Sequence, residues 1–127
     1  MKRIILSAVL LCEVSAAHAD QTYDECKAHA PMLNAAEALA ESTGTDYELA
    51  YKGDNTQPSW LHNFNVKLRA HVDAYKSMLV VMRGVERVGC VPANLHDKWI
   101  EEIKENEDVL SNLEADLATG LAAEKKE

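Results

Sequence analysis

The chain has 127 residues, with 13 basic and 21 acidic side chains and a formal charge of −8. That excess of acid argues against nucleic acid and anionic membrane surfaces as partners, because both are bound through clustered Lys and Arg that release counterions. It suits a basic protein partner, and the length supports a single domain.

Residues 1–20 read MKRIILSAVLLCEVSAAHAD. Two basic residues, an apolar run from Ile4 to Leu11 and Ala17-His18-Ala19 before Asp20 follow the grammar of a secretory signal peptide. The expectation is cleavage after Ala19, export to the periplasm, and one helical domain over residues 20–127. The apolar run is too short to span a bilayer, which takes about 20 apolar residues, and no later segment approaches that length. Cys12 raises the alternative of a lipoprotein, but the large Leu11 before it disfavours that processing. Loss of Lys2, Arg3 and Glu13 with the leader makes the mature chain one charge more negative.

Beyond the leader two cysteines remain, Cys26 and Cys90. Neither belongs to a C-x-x-C pair, and in an oxidising compartment they are expected to form a disulfide. Closing a loop of this length contributes roughly 4 kcal/mol in the chain-entropy model, a large share of a small domain's stability.

Thr22-Tyr23-Asp24-Glu25 fits a capping box and predicts a helix from Tyr23, kinked or restarted at Pro31, running to Glu41 and ended by Gly44. Thr45 and Glu48 repeat the box for a short helix over about 46 to 52, stopped by Gly53. Residues 53–58 lack a hydrophobic pattern and read as a loop. Ser59 is the expected cap of the next helix, whose apolar residues Leu61, Phe64, Leu68, Val72, Tyr75, Leu79 and Met82 fall in steps of three and four. It should reach about Val88. Gly84 inside it either weakens the turn, by up to about 1 kcal/mol, or marks close approach of another helix.

Pro92 breaks the chain, Asn94 is a plausible cap, and a last helix is predicted from Leu95 to about Thr119. Its stripe is Leu95, Trp99, Ile103, Val109, Leu110, Leu113 and Leu117. Asn106 falls within that stripe, either as a residue that fixes register or a dimer seam, or as an amide bonded to backbone or water. With no strand pattern, the expected class is all-α: a bundle of about four helices with one disulfide, the last two antiparallel.

The histidines are the candidates for a metal site. His62 and His71 fall on opposite faces of one helix at about 100° per residue and cannot share an ion. A site between helices would need His71 with His96 and a carboxylate. C-x-x-C-H is absent, as is any Gly-x-Ser-x-Gly, so neither a cofactor nor an enzymatic activity is expected. What remains is binding. Glu101, Glu102, Glu105 and Asp108 form an expected acidic ridge on the last helix. Trp60, beside a polar loop, is the better surface tryptophan, whereas Trp99 lies on the apolar stripe.

The segment AYKSMLVVMRGVERVGCVPANLHDKWIEEIKENEDVLSNLEADLATGL combines an apolar helix, a Cys-x-Pro turn (Cys90, Val91, Pro92), a helix, an acidic break from Glu105 to Asp108 and a leucine-spaced close. It resembles the C-terminal half of the Tai-type periplasmic immunity proteins, which neutralise type VI secretion amidase toxins. Cys26 in YDECKAHA resembles the early cysteine of that pattern. The resemblance implies a toxin-neutralising inhibitor and carries over no toxin-contact residue.

The leading expectation is therefore a non-enzymatic periplasmic binding protein, with homodimerisation open, that blocks a basic toxin or envelope enzyme by occupying its cleft. The alternative is an acid- or envelope-stress chaperone, and a third is a metal or haem carrier through His71 and His96.

Overall fold

In the first helix Cys26, Ala30, Leu33, Glu37, Ala40, Gly44, Tyr47 and Tyr51 recur in alternating steps of four and three, which keeps them along one seam of an α-helix. A computed structural model describes residues 23–127 and carries this seam as one unbroken helix, α1, Tyr23–Tyr51. The expected leader, Cys12 and the expected Thr22 cap lie outside the described residues. α2 spans Trp60–Arg87, a short 3-10 turn spans Ala93–Leu95, and α3 spans His96–Glu124. The described residues thus form three helices rather than about four, and no strand.

The difference lies in α1, where neither Pro31 nor Gly44 interrupts the helix. Proline in a helix interior costs about 3 kcal/mol locally. Here Ala30 and Leu33, on either side of it, are buried, and the Cys26 disulfide anchors the turn before it, while the Pro31 ring faces solvent. Gly44, expected as a stop, is buried on the seam and does not terminate the helix. With Ala30 and Ala40 it gives α1 a narrow inner face against α2, where Ala74 is also buried.

α2 is the central rod. α1 and α3 both pack on it, and among the described residues no Cα atom of α1 lies within 8 Å of one of α3. Leu68, Val72, Tyr75, Met78, Leu79, Met82 and Val85 of α2 are buried with Leu33 of α1 and Trp99, Ile103 and Leu113 of α3. The Trp99 indole lies in this core as expected, its Nε1–H donating to Met82 O at 3.1 Å. α3 runs antiparallel to α2, as a ladder of pairs shows: Arg83 with Glu107, Lys76 with Glu114, and His62 with Glu124.

The joint after α2 explains where Cys90 points. Gly89 takes the left-handed conformation, φ 76°. Its N–H bonds to Glu86 O and the Cys90 N–H reaches back to Val85 O, the paired bonds of a Schellman cap. The chain is thereby folded back so that Cys90 meets Cys26, with Cα atoms 5.3 Å apart and both residues fully buried. The expected disulfide is present.

Two expected caps are not made. The Ser59 side chain forms no cap bond at α2, and Asn94 lies within the 3-10 turn, leaving Leu95 before α3. A backbone bond from Leu95 N–H to Pro92 O, 2.9 Å, tightens that entry instead. α3 also runs past Thr119 to Glu124, through Gly120, where a Cβ would overlap the Asn65 side chain. Close approach thus occurs at Gly120 and not at Gly84, beside which a Cβ would meet nothing within 4 Å.

Candidate functional site

At the end of the bundle away from the disulfide, aromatic residues from α1 and α2 converge. Asp54 holds the loop before α2, accepting from Thr56 N–H at 2.9 Å and from the Thr56 hydroxyl at 2.6 Å. This places Trp60 so that its Nε1–H donates to Ala50 O at 3.0 Å, tying α2 to the end of α1. Four residues on, Phe64 stacks on Trp60 with centroids 5.3 Å apart. Tyr47 and Tyr51, also four apart, incline against Phe64 at 5.5 and 6.0 Å, with interplanar angles of 46° and 52°. Rings set at such angles form a wall instead of a closed stack.

Behind the wall lies His71. It is buried, stacked under Tyr47 at 5.8 Å and edge-on to Tyr75 at 5.1 Å, with Nδ1 3.0 Å from Thr43 Oγ1. Burial pushes its pKa down, against a smaller opposing pull from Glu48, so the ring is held neutral.

The opposite wall comes from α3, with Asp116 and Gly120 facing Tyr47, Tyr51 and Phe64 across a groove of about 470 Å³. Tyr51 is 64% exposed at its rim. The Tyr47 phenol is pushed up by burial first and then by the Asp116 carboxylate, which places Asp116 within electrostatic reach of the ring. The end of α3 is fastened to α2 through Glu124, which accepts from Asn65 Nδ2 at 2.8 Å and pairs with His62 Nδ1 at 2.6 Å. Those two bonds, Asn65 first, hold the Glu124 carboxyl below its usual range. A second hollow, of about 340 Å³ between α2 and α3, is lined by both Arg69 and Asp73 and so presents no single sign of charge.

The residues singled out in the sequence are distributed differently from expectation. Trp60 is half-buried and supports the aromatic wall from behind Phe64. Glu101 and Asp108 are exposed and Glu105 is partly so, but Glu102 is only 4% exposed and leaves the ridge. It falls three residues after Trp99 and four before Asn106, on the inner seam. What remains of the ridge lies toward the disulfide end of α3, apart from the groove. Asn106 is 2% exposed within the chain's own core, and its Nδ2 donates to Glu102 O at 2.8 Å. The amide is thus bonded to backbone inside the chain's own core, and its Oδ1 is buried without a partner. Tyr47, Tyr51, Phe64 and Asp116 were not anticipated as site residues, although the α1 seam, followed past Gly44, points to both tyrosines.

A polar layer also interrupts the core. Glu37 takes a seam position of α1, and its carboxyl is pushed up to about 7 by burial, then by Glu41 and Glu102. Its Oε1 is buried without a hydrogen-bond partner. His71 and His96 do not come together. The His96 Nε2 lies 3.0 Å from Glu86 Oε1, and Glu86 is about 22 Å along α2 from His71 at roughly 1.5 Å per residue. Among the described residues no group of three or more His, Cys, Asp or Glu is placed to hold a metal ion, and no helix is long and apolar enough to cross a membrane.

Comparison with protein-family models, with curated proteins and with solved structures returns no match.

Proposed function

We propose that the chain is an exported, non-enzymatic protein-binding module that neutralises a basic toxin or envelope enzyme by occluding its cleft with the aromatic end of the bundle. One observation carries this reading: Tyr51, 64% exposed, stands with Tyr47 and Phe64 over a surface groove whose far wall holds Asp116. Aromatic side chains concentrate binding energy because they bury large area with few rotatable bonds, and they need a rigid support. The Trp60 bond to Ala50 and the stack of Trp60 on Phe64 supply it. The formal charge of −8 would steer a basic partner and speed its association at low salt.

The test is capture from envelope extract by the wild-type chain and by a Tyr51→Ala, Asp116→Asn variant in parallel. A protein held stoichiometrically by the wild type and lost from the variant is the expected result. Equal recovery on both, or on neither, would rule the reading out.

A second reading, an acid-activated chaperone, draws on His71, whose protonation at low pH would loosen the ring beneath Tyr47. Glu37 acts in the opposite sense, since its raised pKa favours the folded state in acid. Client aggregation suppressed at pH 5 and not at pH 7 would select this reading.

A further inference from the structure

We propose that the groove receives an arginine side chain of the protein partner, its guanidinium stacked on the Tyr51 and Phe64 rings and paired with Asp116. This rests on the reading of the aromatic end as the partner-binding face, and it names the chemistry of the contact.

The lining decides which ligand class fits. No Lys, Arg or His lines the groove, and none of the ion pairs among the described residues engages Asp116. An anion is repelled. An apolar side chain would cover Asp116 and strip it of water without offering a partner, which is unfavourable for a carboxylate. A cation is attracted twice, by the carboxylate and by the negative faces of the rings.

Between the two basic side chains the geometry favours arginine. Trp60 covers one face of Phe64 and His71 one face of Tyr47, whereas Tyr51, 64% exposed and tilted 52° to Phe64, offers a planar group the open ring beside Phe64. A guanidinium can lie along it while its edge N–H groups point at a carboxylate in bidentate fashion, whereas an ammonium is a compact, strongly hydrated charge with no face to stack. The Tyr47 phenol, raised by burial first and then by the Asp116 carboxylate, lies within that carboxylate's field. At about 470 Å³ the space exceeds one side chain, leaving room for the neighbouring backbone of a peptide.

The probe is N-acetyl-arginine amide, titrated into the full chain and followed through backbone amide shifts in NMR spectra. Shifts at Tyr47, Tyr51, Phe64 and Asp116 that saturate at about 10 mM are expected for a single unlinked side chain. N-acetyl-citrulline amide, equal in shape but neutral, should bind at least about tenfold more weakly, and the lysine analogue several-fold more weakly. Asp116→Asn and Tyr51→Leu should each weaken arginine binding by roughly fivefold, while Tyr51→Phe, which keeps the ring, stays within about twofold of wild type. Unchanged far-ultraviolet circular dichroism shows that each variant folds. Absence of saturating shifts, citrulline or lysine binding as tight as arginine, or indifference to Asp116→Asn would each overturn the inference. Arginine-amide binding with no protein captured from the envelope would instead remove the broader reading and leave this site standing.

Discussion

At the scale of single residues, two buried titratable groups set opposed pH dependences. Glu37 has a folded pKa of about 7, above the ordinary carboxyl value of 4.5, so the folded state binds the proton more tightly. Its contribution is favourable below about pH 4.5 and is lost as pH rises through 7. Glu37→Gln should therefore leave stability at pH 5 almost unchanged and raise it at pH 8. The gain should be about 1 to 2 kcal/mol once solvent screening of a half-buried carboxyl is allowed for, or several degrees in melting temperature. Thermal melts at the two pH values check this, and an equal shift at both would exclude it. His71 has the opposite sign. Burial depresses its folded pKa below 6.5, so its contribution is complete above pH 6.5 and is lost as pH falls below that value. In the Glu37→Gln background the melting temperature should fall between pH 6.5 and 5, and adding His71→Asn should flatten that slope. A slope that survives the second substitution would point to another group.

At the scale of elements, the glycines of α2 and α3 separate two roles. A Cβ at Gly84 meets nothing within 4 Å, so Gly84→Ala should simply improve helix propensity and stabilise the chain by up to about 1 kcal/mol. A Cβ at Gly120 overlaps the Asn65 side chain, which in turn holds Glu124. Gly120→Ala should therefore destabilise the chain by about 1 to 3 kcal/mol, despite the better propensity of alanine, as Asn65 is displaced and α3 loosens. Urea unfolding of the pair measures both signs at once, and a stabilised Gly120→Ala variant would contradict the packing described. α1 carries the complementary lesson. Local signals at Pro31, Gly44 and Thr45 argue for breaks, yet the four-and-three spacing from Cys26 to Tyr51 is continuous, and packing against α2 prevails over propensity at each.

At the scale of the whole molecule, the disulfide joins the start of α1 to the turn between α2 and α3 and closes a loop of 64 residues in sequence separation. Reduction, or paired Cys26→Ser and Cys90→Ser substitution, should lower unfolding free energy by up to roughly 4 kcal/mol. The aromatic groove, at the opposite end, should lose order last. Denaturation followed with and without reductant measures the first expectation, and a change below about 1 kcal/mol would show that core packing alone holds the three helices.

The sequence by itself determined the all-α class, α2 and α3 with most of their inner residues, and the Cys26–Cys90 bridge. Helical periodicity is a local property read within a few turns, and with Cys12 assigned to the expected leader the two remaining cysteines allow one pairing. Only the tertiary structure decided that α1 is continuous, that Glu102 and Asn106 turn inward, and that a groove exists. The rings of Tyr47, Tyr51 and Phe64 and the carboxylate of Asp116 come from three separate helices, and no local period records how those helices lie side by side. Glu37 shows the same limit. Its spacing marks a seam position, but the cost of a carboxyl there is set first by burial, then by Glu41 and by Glu102 of α3, and only the assembled bundle supplies the burial and brings Glu102 within range.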